Sequence, residues 1–256
     1  MTEQIRAQAC LKGHPVSLHI LDFGLFRVHE NARVIGISGF LIQTSADERI
    51  LVDTGFPAKY ADDPARATME DHLDQFGEVL HCDRSNTPDA QLALAGVSLS
   101  DITLMVQTHT HIDHIGGLHL CPQVPILIAH AERALPRPLY WGSVQPLTWP
   151  ERDYIRLEAD TTLGPCFDIL LVPGHAPGQL AMVIELPETG PVLLTSDAIS
   201  RPSELVTGFS GSWDETLAAH HAARLDKIAK ARNATVIYGH CPEQWKILKK
   251  APLSYR

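Results

Sequence analysis

Apolar and polar positions alternate through residues 16–28, VSLHILDFGLFRV, on both sides of Gly24, which predicts a strand, a break and a second strand. VIGISGFLIQ at 34–43 predicts another strand. A polar turn at SADER follows, and ILVD then runs into Asp53-Thr54-Gly55. Half-buried strands in such close succession imply an antiparallel meander, one layer of a sandwich. Residues 57–87 break the pattern: they are polar, carry Asp62-Asp63-Pro64 and keep no sustained period. They read as an excursion over the surface with room for one short helix. Thr87-Pro88 predicts an N-cap and first-turn proline, opening a helix that ends near Gly96.

From residue 102 the order becomes strand, ligand-rich loop, helix. ITLMVQ leads directly into THTHIDHIGG, and PILIAH leads into a short helix at AERAL. Residues 136–150, with four prolines and three aromatic residues, are irregular. FDILLVP, AMVIEL, PVLLTSD and TVIYGH are further strands. The segment 212–231 is a helix, with Ser212 and Glu215 spaced as a capping box and Leu217, Leu225 and Ile228 on roughly one face. Strands precede helices in both halves of the chain. That order predicts one α/β domain over residues 1–256, an αβ/βα four-layer sandwich of two sheets with helices outside.

The chemistry concentrates at strand ends. His109, His111, Asp113 and His114 put three imidazoles and one carboxylate within six residues, directly after a buried strand. In extended or loop backbone, residues two apart face one side, so His109 and His111 can share a metal. Asp113 and His114, expected at the start of a helix, can face a second. Gly116-Gly117 removes side chains where backbone must pass close. His175, in the turn PGHAPG, Asp197 and His240 each follow another apolar strand. One such histidine is ordinarily a satisfied core residue. Four strand ends with His or Asp describe one sheet edge presenting one site. Asp53 reads as a buried carboxylate that either orients the histidine loop or satisfies turn amides.

The sequence HTHIDH, followed in order by PGH, SD and GH, resembles the metallo-β-lactamase superfamily over essentially the whole chain. ILVDTG, LVPGHAPGQ, VLLTSDA and YGHCPEQW are most similar to its N-acyl homoserine lactonase branch. The resemblance implies that His109, His111 and His175 bind one zinc ion, that Asp113, His114 and His240 bind a second, and that Asp197 bridges them. Manganese, iron or cobalt also suit such ligands. It implies a hydrolase that opens a small lactone by attack of a metal-bridging hydroxide, with Asp113 carrying the proton to the departing alkoxide. An aryl or phosphate ester, or a thioester, is the alternative substrate on the same metals.

Three positions depart from the lactonase pattern: Ser200 stands where many members carry tyrosine, Gln179 where the second histidine of PGHxPGH falls, and Cys241 where aspartate follows the last histidine. Each leaves the metal ligands intact and puts the substrate in question. Phe23, Phe26, Tyr140, Trp141 and Trp149, with segments 57–87 and 136–150, are the pocket candidates.

Composition narrows the partners. A formal charge of −9 opposes nucleic acid and anionic membranes. No apolar run is long enough to span a bilayer, and the amino terminus lacks a signal-peptide core. The cysteines, Cys10, Cys82, Cys121, Cys166 and Cys241, are scattered and odd in number, which fits a reducing cytoplasm. The expected protein is a cytoplasmic monomer or homodimer acting on a small molecule. Its rivals are a di-iron redox protein, for which a flavin domain is missing, and a module that binds a lactone without turnover.

Overall fold

The protein is described by a computed structural model covering residues 11–256; Cys10 and most of the amino-terminal segment read above lie outside the described residues. β1 (Pro15–Val28), β2 (Val34–Thr44) and β3 (Arg49–Val52) form the expected antiparallel meander. β1 is one long strand, however, not two. Gly24 adopts φ +118°, and a bulge between Asp22 and Leu25 absorbs the irregularity without ending the pairing to β2. The bulge also changes which face the side chains take. Leu18 and Ile20 point between the sheets and Leu21 and Phe23 outward, but beyond it Phe26 and Val28 point outward too.

β4 (Gly77–His81) pairs with the free edge of β1, while β5 (Leu104–Val106), β6 (Ile126–Ala129) and β7 (Tyr154–Leu157) extend the sheet in parallel from β3. The resulting order is β4-β1-β2-β3-β5-β6-β7. A second sheet contains β8 (Thr161–Gly164), β9 (Phe167–Leu171), β10 (Leu180–Leu186), β11 (Gly190–Leu194) and β12 (Thr235–Ile237), in the order β12-β11-β10-β9-β8. Phe40, Ile42 and Val106 meet Phe167, Met182 and Leu194 in the core between the sheets.

Helices cover both outer faces. α1 (Lys59–Asp62), α2 (Pro64–Glu70) and α3 (Pro88–Leu94) pack on the first sheet through Tyr60, Ala67 and Leu92. α4 (His130–Arg133) follows β6, and α5 (Glu204–Thr207) precedes α6 (Glu215–Arg232). Ala218, Ala222, Leu225 and Ala229 of α6 lie on Leu170, Val183 and Leu193 of the second sheet. A last turn, α7 (Pro242–Trp245), closes the series. The architecture is the αβ/βα sandwich, with both sheets in the middle. No helix among the described residues is long and apolar enough to cross a membrane.

Three further expectations from the sequence differ in the structure. Residues 57–87 are ordered as α1, α2 and β4 with two single-turn helices, and not as a surface excursion. Their order comes from tertiary contacts: Asp71 is buried and receives hydrogen bonds from Lys59 Nζ (2.7 Å), Tyr60 Oη (2.9 Å) and Tyr140 Oη (2.5 Å). α6 is capped by Asp214, which accepts from Leu217 N at 2.9 Å, so the Ser212 capping box does not form. Thr87 occupies the N-cap of α3, but its hydroxyl donates to Arg84 O instead.

Candidate metal centre

β5 delivers the chain to the site from a fully buried position. After Val106, the side chains of Gln107 and Thr108 turn down onto Asp53, which ends β3 with φ +54°. Asp53 accepts from Thr108 N (2.9 Å), Thr108 Oγ1 (2.7 Å) and Gln107 Nε2 (3.1 Å), and its Oδ2 holds His114 Nδ1 at 2.8 Å. That last contact fixes the imidazole so that Nε2 faces the site. Asp113 and His114 lie in a turn, not at a helix start; Thr54 N bonds to His114 O and Gly116 N to Gly55 O, pinning the turn to the end of β3. A Cβ on Gly116 would run into the backbone of Phe56, so only glycine allows this approach.

The other ligand candidates arrive from the second sheet. The turn after β9 carries His175, and its neighbours are tied to the start of α6 by Asp214 N donating to Gly174 O at 2.9 Å. Asp197 lies in a single 3-10 turn after β11. His240 follows β12 and is aimed by its Nδ1, 3.0 Å from Gly36 O on β2. All seven candidates thus converge from four strand ends and their loops.

Asp197 is at the centre. Its Oδ2 lies 3.1 Å from His240 Nε2, 3.4 Å from His175 Nε2 and 3.9 Å from His109 Nε2, while Oδ1 lies 3.4 Å from His114 Nε2. Two groups of donors flank it. His109, His111 and His175 present ligand atoms within 4.8 Å of one another, and so do Asp113, His114 and His240. Asp113 Oδ2 stands 3.6 Å from His114 Nε2 and 3.5 Å from His240 Nε2.

The donors fit divalent metal. His109 Nε2, His114 Nε2 and Asp197 Oδ1 are buried and have no hydrogen-bond partner, which is costly unless a cation takes their lone pairs. Charge balance points the same way. Burial, reinforced by His114, holds His109 well below the ordinary histidine range, and burial with His175 brings His111 down to about 3. Burial would also lower His240, but Asp197 outweighs it and raises the imidazole to about 9. Burial would raise Asp197, yet His240 and His114 pull it well down. This cluster of carboxylates draws positive charge to itself.

A profile of the metallo-β-lactamase superfamily matches residues 32–240. This chain belongs to the metallo-β-lactamase superfamily. Among curated proteins it is 29% identical over 238 residues to the N-acyl homoserine lactonase AttM of Azorhizobium caulinodans, spanning 84% of this chain and 86% of that one. It is 31% identical over 165 residues to the N-acyl homoserine lactonase AiiA of Bacillus thuringiensis subsp. kurstaki, spanning 63% and 64%. Among solved structures, an N-acyl homoserine lactone hydrolase with the product N-hexanoyl-L-homoserine at its catalytic metal centre superposes with a TM-score of 0.82. That pair shares 23% identity, with 94% of this chain and 100% of the other aligned. The dizinc quorum-quenching lactonase AidC superposes at 0.64, with 20% identity and 90% and 91% coverage. Within the superfamily the likeness is to the lactonase branch.

Over the superfamily site lies a cavity of about 300 Å³ with an apolar half built by Phe26, Ile35, Phe56, Leu73, Phe76 and Trp141. Two of these, Leu73 and Phe76, come from the segment that shows no pattern in sequence. Three of the proposed pocket aromatics are elsewhere. Phe23 is buried beneath Gly39 and Gly55, Tyr140 points its hydroxyl at Asp71, and Trp149 donates to Leu135 O with Arg133 stacked on its ring. Ser200 does line the cavity. Gln179 is buried and bonds Leu180 O, and Cys241 turns to Glu243, so neither meets the site.

Glu132 on α4 escaped sequence reasoning. It is fully buried, and burial raises its carboxyl above the usual range. Its Oε2 accepts from Thr110 Oγ1 at 2.6 Å, between His109 and His111, and its Oε1 from Gly178 N at 3.1 Å, in the His175 turn. One side chain therefore couples the two loops that carry the first donor group. Its only signal in the sequence is an acidic residue just after a fully apolar strand.

Proposed function

We propose that this metal-dependent hydrolase opens the ring of a small lactone, an N-acyl homoserine lactone or a close chemical relative, using two zinc ions. The observation that carries the reading is the pair of three-donor groups on either side of Asp197, beside an apolar cavity. His109, His111 and His175 would hold one ion, Asp113, His114 and His240 the other, and Asp197 would serve both. When bound, such ions would supply Lewis acidity, making water acidic enough to attack at neutral pH and polarising the scissile carbonyl.

The chain's own residues do the rest. The apolar half of the cavity takes an acyl group and excludes water from it. Asp113 has its Oδ2 toward His114 and His240, is partly open to the cavity, and takes the proton given up by the attacking water and hands it to the leaving alkoxide. Asp53 and Glu132 keep the ligands in place from below. The relatives' names, N-acyl homoserine lactonase, support the substrate class. The reading includes a single domain over 1–256 and a cytoplasmic location, which the free thiols of Cys82, Cys121, Cys166 and Cys241 support. The test is base uptake during incubation of the zinc-loaded protein with acyl homoserine lactones and γ-lactones. Ring opening that stops on chelation and returns with zinc is expected; inertness toward every lactone would overturn the assignment.

A further inference from the structure

A second, more polar cavity of about 550 Å³ opens beside the first, and both are lined by His175, Asp197, Ser200 and Arg33. Arg33 sits in the turn before β2, its backbone oxygen accepting from Val28 N. Its guanidinium makes no ion pair and no hydrogen bond among the described residues, and its Nε is buried without an acceptor. Arg201, across the same cavity, also buries Nε without a partner; the nearest carboxylate oxygen, Glu204 Oε1, is 3.6 Å away. An orphaned Nε alone does not set Arg33 apart, since Arg133 and Arg152 have one too. Arg152, however, donates through its terminal nitrogens to four backbone carbonyls, Arg133 stacks on Trp149 and Tyr154, and Arg224 pairs with Asp160. Arg33 is half-buried, and its Nε, shut off from water, is unfavourable there unless a ligand provides an acceptor.

We propose that the substrate carries a carboxylate in addition to its ester bond, and that Arg33, assisted by Arg201, binds this carboxylate in the second cavity. The inference rests on the hydrolase reading for where the ester lies. An aliphatic chain offers these donors nothing and an amide oxygen a single neutral acceptor, whereas a carboxylate matches the planar fork of a guanidinium. The charges facing Arg33 are Arg201, Glu204, Asp197 and Glu30. With three carboxylates facing two guanidiniums, a singly charged carboxylate meets less repulsion here than a dianionic phosphate, and the unpartnered guanidinium of Arg33 is what anchors it. The apolar cavity and the polar one meet at His175 and Asp197, so a single molecule can fill both with its ester between them.

The experiment compares 4-nitrophenyl monoesters of adipic and pimelic acid with their terminal carboxamides, which keep shape and remove charge. The zinc-loaded protein should prefer the acid by ~10-fold or more in kcat/KM, mainly through KM, the scale of a charge-assisted pair. In Arg33→Gln the acid-to-amide ratio should fall to about one, and in Arg33→Lys part of it should return. No preference in the unaltered protein, or one that survives Arg33→Gln, overturns the inference. An equal loss on both esters also overturns it, because Arg33 would then serve the scissile bond. Calorimetric titration with adipate and hexanoate reads the same contact without turnover. If no ester is cleaved but adipate binds more tightly in an Arg33-dependent way, the assignment of the ester falls and the carboxylate site at Arg33 stands. Inorganic phosphate outcompeting adipate at Arg33 overturns the assignment to a carboxylate.

Discussion

The floor of the metal centre and its rim are built on opposite principles. On the floor, beneath the candidate ligands, both supporting carboxylates have fixed partners: Asp53 takes four hydrogen bonds, two from Thr108 and one each from Gln107 and His114, and Glu132 takes two. These groups are nearly or fully buried. On the rim, Phe76 is 38% exposed, and Arg33 and Arg201 each bury an Nε that has no hydrogen-bond acceptor among the described residues. A floor with its hydrogen bonds satisfied fixes the ligands to a narrow geometry, as metal binding demands. An unsatisfied rim is a surface that a ligand completes. The floor thus determines the reaction and the rim the substrate, and mutations in the two should have different signatures.

Asp113 is the sharpest test of that division because it belongs to the floor but reaches the cavity. Asp113→Asn keeps an oxygen for the metal and cannot carry a proton at neutral pH. On lactones kcat should fall ~100-fold or more, the scale of losing a general acid, with a modest loss of metal affinity. On 4-nitrophenyl esters, whose leaving group needs no proton, the loss should be much smaller. Equal losses measured on metal-reloaded protein would make Asp113 a ligand only.

Glu132→Ala tests whether the floor acts as a unit. It leaves Thr110 Oγ1 and Gly178 N without their buried acceptor, and roughly 2–4 kcal/mol of stability should be lost. Chemical denaturation measures this. If the side chain couples the two loops, zinc affinity should weaken as well; a stability loss with metal affinity untouched would show that each loop is held independently.

Ser200→Ala is the smallest effect expected. The serine lies on the rim between the cavities, and its backbone is anchored by Ser200 N to Glu204 Oε2 at 2.7 Å and by His240 N to Ser200 O at 2.9 Å. No side-chain hydrogen bond of Ser200 is among those described, so kcat/KM should change by less than ~3-fold. A ~100-fold loss would mean that the hydroxyl acts on the substrate, directly or through water.

The candidate ligands were legible in the sequence, while Glu132 beneath them and much of the rim were not, for a physical reason. The ligands follow apolar strands, and a strand with an imidazole or carboxylate at its end leaves a local pattern. Rim residues are brought together by contacts between distant segments. Leu73 and Phe76 reach the cavity because Asp71 ties α1 to Tyr140 and β4 pairs with β1, neither of which has a periodic signature. Phe26 faces outward because of a bulge that simple alternation does not foresee. The cap of α6 shifted from Ser212 to Asp214 because Asp214 N is already bound to Gly174 O in the His175 turn. Arg33 is a single charged residue at the start of an apolar strand, and its lack of a partner exists only in three dimensions.

The central claim is that the seven residues around Asp197 bind two metal ions. Elemental analysis of the purified protein, before and after reloading with zinc, tests it most directly. The account predicts two ions per chain, falling to one or fewer in Asp197→Ala, whose carboxylate stands between both donor groups. A stoichiometry that never exceeds one ion after reloading, or that stays at two in Asp197→Ala, would contradict it.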